Sequence, residues 1–429
     1  MNSKFIKPVI CVLTTLVTSS VVNAEQWTLH SSIAQAMSSS PELKISSAEI
    51  GSRTSELQLS DMWPDPSLEL KVDNQIGRDE GTDNYGLSEI TISQEIPLSR
   101  TKHQKSVAEA QLNAAKHSQS YETLELQNRV AKIFYELQFT SAVFELTKMR
   151  VKLANKLNAS TTKNKHDVMV RYLTPLEKMR LSIISEKAHQ EEAAAEGKYL
   201  ETLTEFYKLL GISSDNTVKV PKLLPVIEIP ELDFLSNQQN EHPLLSTQKE
   251  NLQAATNEID VARSTAMKDP TISINRLREN FSSGTESVYG VMFNIEIPIH
   301  DRKDSKVSKA SYNASQQRIE LARLKRELQI NLNRSYTHLK HVIEQTSDYK
   351  SKVLEPATKI LSLSEKGFIS GELNILSLVD ANDTYFESNK QYLDLIYQSW
   401  VELAEINLYA GQFIAYDNAQ MKPRNTGVK

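Results

Sequence analysis

The chain has 429 residues, of which 24% are charged and 39% hydrophobic, with a formal net charge of −5 and no long basic run. That balance makes nucleic acid a poor partner. The single cysteine, Cys11, lies so near the start that disulfides and thiolate metal sites are excluded from everything after it.

Lys4 and Lys7 precede an apolar stretch from Val9 to Val17, and small and polar residues then lead to Val22-Asn23-Ala24. This is the pattern of a secretory signal peptide, residues 1–24. The apolar run is too short to cross roughly 30 Å of hydrocarbon, and no run of eighteen apolar residues follows. A membrane role would therefore need strands.

The rest of the chain is read as a duplication. Residues 25–211 carry Ser40-Pro41-Glu42-Leu43, Asp65-Pro66-Ser67-Leu68, Tyr85-Gly86, Ile96-Pro97-Leu98 and a closing Leu210-Gly211. Residues 231–411 carry His242-Pro243-Leu244-Leu245, Asp269-Pro270-Thr271-Ile272, Tyr289-Gly290, Ile297-Pro298-Ile299 and Ala410-Gly411, in the same order. A segment with Pro221, Pro225 and Pro230, residues 212–230, separates the two units, and residues 412–429 form a tail without apolar period. Repeats of this length indicate a wall built from equivalent parts.

In chain order, alternation predicts strands over about 67–76 and 85–96, with Leu68, Leu70, Val72, Ile90 and Ile92 apolar against Glu69, Lys71, Thr91 and Ser93. From Thr101 to about Lys163 there is no proline or glycine, and apolar residues recur at threes and fours, which predicts one helix about 90 Å long. A second helix is expected from Pro175 to Leu210. The second unit predicts a helix from Pro243 to Ala266, strands over about 271–280 and 288–297, a helix from about Asp304 to Leu363 kinked at Pro356, and a last helix from Asn374 to Tyr409. Polar loops, 77–84 and 282–287, join each strand pair. The strands fit either a half-buried soluble sheet or a membrane barrel, and their length of about ten residues together with the signal peptide favours the barrel.

At this point the chain resembles the TolC-like outer-membrane factors of efflux and type I secretion systems. The resemblance rests on Trp27-Thr28-Leu29 with Ser40-Pro41-Glu42-Leu43, on Pro64-Asp65-Pro66, on Ile96-Pro97-Leu98, and on the run from Gly371 to Ala381. Within the family it is most similar to the cation and metal efflux subfamily of CzcC type. The resemblance implies a mainly helical fold with a small β part: a homotrimer whose four strands per chain build a twelve-stranded outer-membrane barrel, continuous with a periplasmic helical barrel. It implies a passive exit duct in the outer membrane, with a periplasmic adaptor, an inner-membrane pump of the RND type and lipid as partners, and metal cations as candidate cargo.

The resemblance also assigns candidate sites. Asp380 matches the second of two acidic positions at the periplasmic aperture, Ser377 replaces the first, and Asp383 and Leu376 are further gate candidates. The tips Arg171-Tyr172-Leu173-Thr174 and Gly371-Glu372-Leu373 are candidate docking turns for the adaptor. On the strands, Ile90, Ile92, Phe293 and Ile295 are expected to face lipid, and Thr91, Ser93, Asn294 and Glu296 the lumen. His338 and His341, three apart on one helix, lack a third ligand, so no metal site or cofactor is assigned. No glycine-rich phosphate loop, Gly-x-Ser-x-Gly elbow or His-Glu-x-x-His helix occurs, so no enzyme is expected. The competing readings are a type I secretion channel and a periplasmic coiled-coil scaffold that transports nothing.

Overall fold

A computed structural model describes residues 27–73, 87–98, 100–160, 174–213, 218–226, 229–265, 268–281, 284–297 and 303–414. The expected signal peptide, the loop 77–84 and most of the tail lie outside these residues.

The first unit runs α1 (Leu29–Ser39), α2 (Pro41–Asp61), β1 (Ser67–Asp73), β2 (Leu87–Glu95), α3 (Arg100–Ser160) and α4 (Pro175–Leu210). After a short helix α5 (Leu232–Gln238), the second runs α6 (Pro243–Ser264), β3 (Thr271–Phe281), β4 (Gly284–Asn294), α7 (Lys303–Tyr349), α8 (Glu355–Ile369) and α9 (Ile375–Ala410). Local chemistry sets the boundaries. Ser40 Oγ accepts from Leu43 N and His242 Nδ1 from Leu244 N, and each is followed by proline at the first helical position, where a missing N–H costs nothing. Thr174 and Glu177 form a reciprocal cap at the start of α4. Gly211 and Gly411 end α4 and α9 at φ of 64° and 76°, a left-handed backbone that disfavours any side chain.

Each unit closes on itself at that glycine. In the first, Ser39 Oγ donates to Leu210 O at 2.8 Å. In the second, His242 Nε2 donates to Leu408 O at 2.9 Å. His242 is buried, and loss of hydration holds its pKa below the usual imidazole value.

The main core lies midway along α3 and towards the C-terminal ends of α4, α7 and α9. Leu29 and Ile33 of α1, Val130, Phe134 and Leu137 of α3, Phe206 of α4, Leu339 of α7 and Trp400 of α9 pack together there. The proline-containing connection joins this core through Leu223 and Val226, and Trp400 Nε1 donates to Leu224 O at 2.6 Å.

Pro356 perturbs its helix as anticipated, but through a π turn at Lys350–Leu354 that separates α7 from α8. One extra residue per turn relieves the clash of the proline ring with the preceding turn.

The four strands form one antiparallel sheet in the order β1-β2-β3-β4, so β2 and β3 join the two units across most of the chain. The expected strand over 288–297 instead covers 284–294. Gly284, at φ 139°, opens β4 opposite Phe281, and at the other end Thr271, opposite Asn294, follows Pro270, which has no N–H to continue the ladder. The pair Tyr289-Gly290 lies inside β4, eight residues before Ile297, whereas Tyr85-Gly86 stands eleven before Ile96 and outside the described residues. The two Tyr-Gly pairs are therefore not equivalent.

Candidate functional site

Two regions carry the chemistry. The first is the sheet. Its registers pair Leu68 with Ile92, Ile92 with Ile274, and Ile274 with Val291. One face thus carries Leu68, Leu70, Val72, Ile90, Ile92, Ile272, Ile274, Val291 and Phe293, exposed by between 37% and 78%. Full burial of such a side chain is worth about 1.5–3 kcal/mol and each of these forfeits a part of it in water, so water is a poor final environment for this face. The other face is mostly polar and hydrogen-bonded, with Leu277, Val288 and Met292 as apolar members. Asn275 Nδ2 donates to Glu89 Oε1 at 2.7 Å, Ser93 and Ser273 hydroxyls meet at 2.8 Å, and Thr91 lies beside them. Gly290 lies opposite Asn275, whose amide oxygen occupies the space a Cβ would fill. Asn294 shares this polar face by register, Ile295 and Glu296 follow the end of β4, and Glu296 binds Lys268.

Strand and helix meet at a tied junction. Ile96 N donates to Pro270 O at 2.9 Å, and Arg100 bridges Glu95 and Asp269.

The second region is the far end of α4, α8 and α9. Asn374 caps α9, its Oδ1 accepting from Ser377 N at 2.9 Å and from Ser377 Oγ at 3.1 Å. Ser377 is therefore committed to its own helix start. Ile375 and Leu378 are buried against Leu181 of α4, while Leu376 is exposed. Asp380 is exposed, and among the described residues no cation pairs with it. Asp383 differs: Arg150 of α3 binds it and also Glu191 of α4, with the guanidinium carbon 5.6 Å from the Phe386 ring centroid. Three helices are pinned by one arginine.

At the α8–α9 turn, Gly371 has φ 81°, and both Glu372 N and Leu373 N donate to Gly367 O at 2.9 Å. Leu373 folds over Gly367, whose Cβ, if present, would meet its side chain at 2.8 Å. At the other tip Thr174 is the α4 cap, and Arg171, Tyr172 and Leu173 lie outside the described residues. His338 gives Nδ1 to Glu402 at 2.9 Å, and no group of three metal-ligating side chains occurs among the described residues.

Arg150 was not singled out from sequence, where it is one cation among many on a long helix. Nor were Arg276 and Arg278, which interrupt the apolar face of β3 at positions where alternation calls for apolar residues. That interruption was a readable signal.

Residues 234–412 match the family described as Outer membrane efflux protein. The cobalt-zinc-cadmium resistance protein CzcC of Cupriavidus metallidurans is 26% identical over 189 residues, and the match spans 44% of this chain and 44% of that relative. The CusC channel superposes with a TM-score of 0.74 at 16% identity, covering 92% of this chain and 96% of its own. The open-state MtrE outer membrane channel of Neisseria gonorrhoeae gives 0.72 at 14% identity, covering 90% and 89%. Residues 234–412 are thus similar to the outer membrane efflux proteins, and the chain as a whole has the fold of these outer-membrane channels.

Proposed function

We propose that three copies of this chain form an outer-membrane exit duct of a tripartite efflux system, fed by a periplasmic adaptor and an RND-type pump. The observation that carries this is the open four-stranded sheet, with one uncovered apolar face and two unpaired edges, β1 and β4. In lipid each unpaired edge group costs several kcal/mol, so the edges must close. Two copies would give a barrel filled by its own side chains, whereas three leave an open lumen.

Repeat symmetry supplies the register of closure. Leu68 corresponds to Ile272 and Ile92 to Phe293, and the pair Leu68–Ile92 reappears as Ile272–Phe293. The same correspondence applied to the β2–β3 pair Ile92–Ile274 sets Phe293 opposite Leu70 of the partner subunit. Applied to Ser93–Ser273, it sets Asn294 opposite Glu69 of the partner subunit.

With Cys11 removed the background is free of thiols. The Asn294→Cys/Glu69→Cys variant is expected to oxidise to a covalent trimer. Asn294→Cys/Lys71→Cys, a diagonal pair with Cβ atoms about 7–8 Å apart or somewhat less, should link far more slowly. A monomer in mild detergent with neither pair linking overturns the duct.

Divalent metal cations are the proposed cargo, supported by the resistance for which the Cupriavidus relative is named. Cells lacking the chain should become sensitive to cobalt, zinc or cadmium. Unchanged tolerance to all three overturns that cargo and leaves the duct standing.

A further inference from the structure

We infer that the outward face of β3 and β4 binds the phosphate of an anionic outer-leaflet lipid through Arg276 and Arg278. The inference rests on the membrane reading above. Register puts both arginines on the same face as Ile272 and Ile274, and both are exposed. Arg276 stands between Ile90 and Tyr289, with its guanidinium carbon 5.8 Å from the tyrosine ring centroid. Arg278 stands between Ser88 and Ser287.

Directly opposed residues on antiparallel strands have Cβ atoms about 4.5–5.5 Å apart, so two guanidinia, two hydroxyls and a phenol share one patch. The strand carboxylates Glu69, Glu89, Glu95 and Glu286 all fall on the other face by the same registers. The patch is thus rich in donors, and among the described strand residues no carboxylate shares its face to neutralise it. An Arg fork matches phosphate oxygens in geometry as well as charge.

Height agrees with this ligand. From Ile297 to Tyr289 the chain advances eight residues, five of them within β4, at most about 27 Å when extended and about 20 Å along the membrane normal at the usual tilt. Exposed Trp63 and Ile297 mark the lower rim and exposed Tyr289 the upper one. Aromatic girdles flank the apolar band of such barrels, so Arg276 and Arg278 lie where head groups begin. In the first hairpin Val72 corresponds to Arg276, Asn74 to Arg278 and Ser88 to Tyr289, none of them a cation, so each chain carries this site once.

Native mass spectrometry of the full mature protein, released from detergent after incubation with dioleoyl phosphatidic acid or dioleoyl phosphatidylcholine, tests it. The wild type should retain phosphatidic acid about tenfold more than Arg276→Gln/Arg278→Gln, as expected for loss of charge-assisted contacts. Phosphatidylcholine should be retained equally by both. Lys71→Gln, which removes a cation from the opposite face, should behave as wild type, and Arg276→Lys/Arg278→Lys should keep part of the retention. Equal retention of phosphatidic acid by wild type and double glutamine variant overturns the site. Full displacement of phosphatidic acid by millimolar inorganic phosphate overturns the lipid as its source. Failure of the wild type to hold either lipid overturns the membrane reading, and the site with it.

Discussion

Helices α4 and α9 each have 36 residues, begin at a side-chain cap (Thr174 and Asn374) and end at a left-handed glycine, yet their surroundings differ. Helix α9 is buried along most of its length against α3, α7 and α8, from Ile375 through Phe386 and Trp400 to Ala410. Helix α4 packs chiefly on α3 and leaves Leu176, Met179 and Ile183 exposed. The difference follows from counting interfaces. Contact of α3 with α9 joins the first unit to the second, and its symmetry counterpart, α7 with α4, requires another copy. Sheet and helices therefore make the same demand. What one chain leaves open on α4 and at the β1 and β4 edges is what the proposed trimer covers.

The largest test of that equivalence is on the sheet. Ile92→Arg and Phe293→Arg occupy corresponding outward positions and should each cost about 2–4 kcal/mol in refolding into bilayers if near the midplane, with Thr91→Arg costing much less. A large cost at only one of the outward pair would break the correspondence of the hairpins. Equal tolerance of Ile92→Arg and Thr91→Arg would reject the faces.

Next come the closing glycines. Gly211→Ala and Gly411→Ala should each lose about 1–2 kcal/mol from the left-handed backbone alone, read as a lowered melting temperature. The added Cβ at 211 would lie 2.9 Å from Ser39 Cβ, whereas at 411 it would lie 3.2 Å from the His242 backbone. Ser39→Gly should therefore rescue part of the loss at 211, while no side-chain change at 242 removes the backbone contact at 411.

Sequence carried the long elements well because their signals are local. The lack of proline and glycine after Thr101 anticipated α3, and Thr174-Pro175 and Leu210-Gly211 marked both ends of α4. Alternation gave the faces of the sheet. What stayed hidden depends on chain segments far apart in sequence. The grip of Arg150 on Glu191 and Asp383 joins three helices, and no spacing rule links those positions. The Tyr-Gly pairs misled because identical dipeptides do not fix a register, whereas the flanking Ile-Pro pairs do. Helices α1 and α2 were not singled out, although Ser40-Pro41 is a legible start for α2.

A smaller, pH-dependent effect separates the two closures. His242 holds its neutral form by donating from Nε2 and accepting at Nδ1, 5.9 Å from the Tyr121 ring, while Ser39 and Ser40 do the corresponding work without titrating. Because burial lowers its folded pKa below the ordinary value of 6.5, the unfolded chain takes the proton first. Its contribution is complete above pH 6.5 and is lost as pH falls through the folded pKa. Melting curves should show a stability loss in that window that His242→Ser removes, since serine retains a cap acceptor but no proton to gain. The same acid slope in both proteins would assign it to other groups.

The smallest effect on stability has the most to say about conduction. Asp380 is the sixth residue of α9, and the sixth residue of α4 is Arg180, half-buried beside Ile375 and Leu376. If the two helices alternate around the proposed aperture, three carboxylates there are interleaved with three guanidinia, and the ring is nearly balanced. Asp380→Asn should then shift planar-bilayer selectivity towards anions, and Arg180→Gln should shift it towards cations and strengthen block by divalent ions. Neither should change folding by more than about 0.3–1 kcal/mol, the scale of a charge near a helix start. Opposite shifts would place both side chains at one constriction. A shift with Asp380→Asn alone would mean that α4 and α9 lose their equivalence at the tips, where only α9 carries the gate. No shift in either variant would move the constriction to the apolar residues Leu376 and Val379.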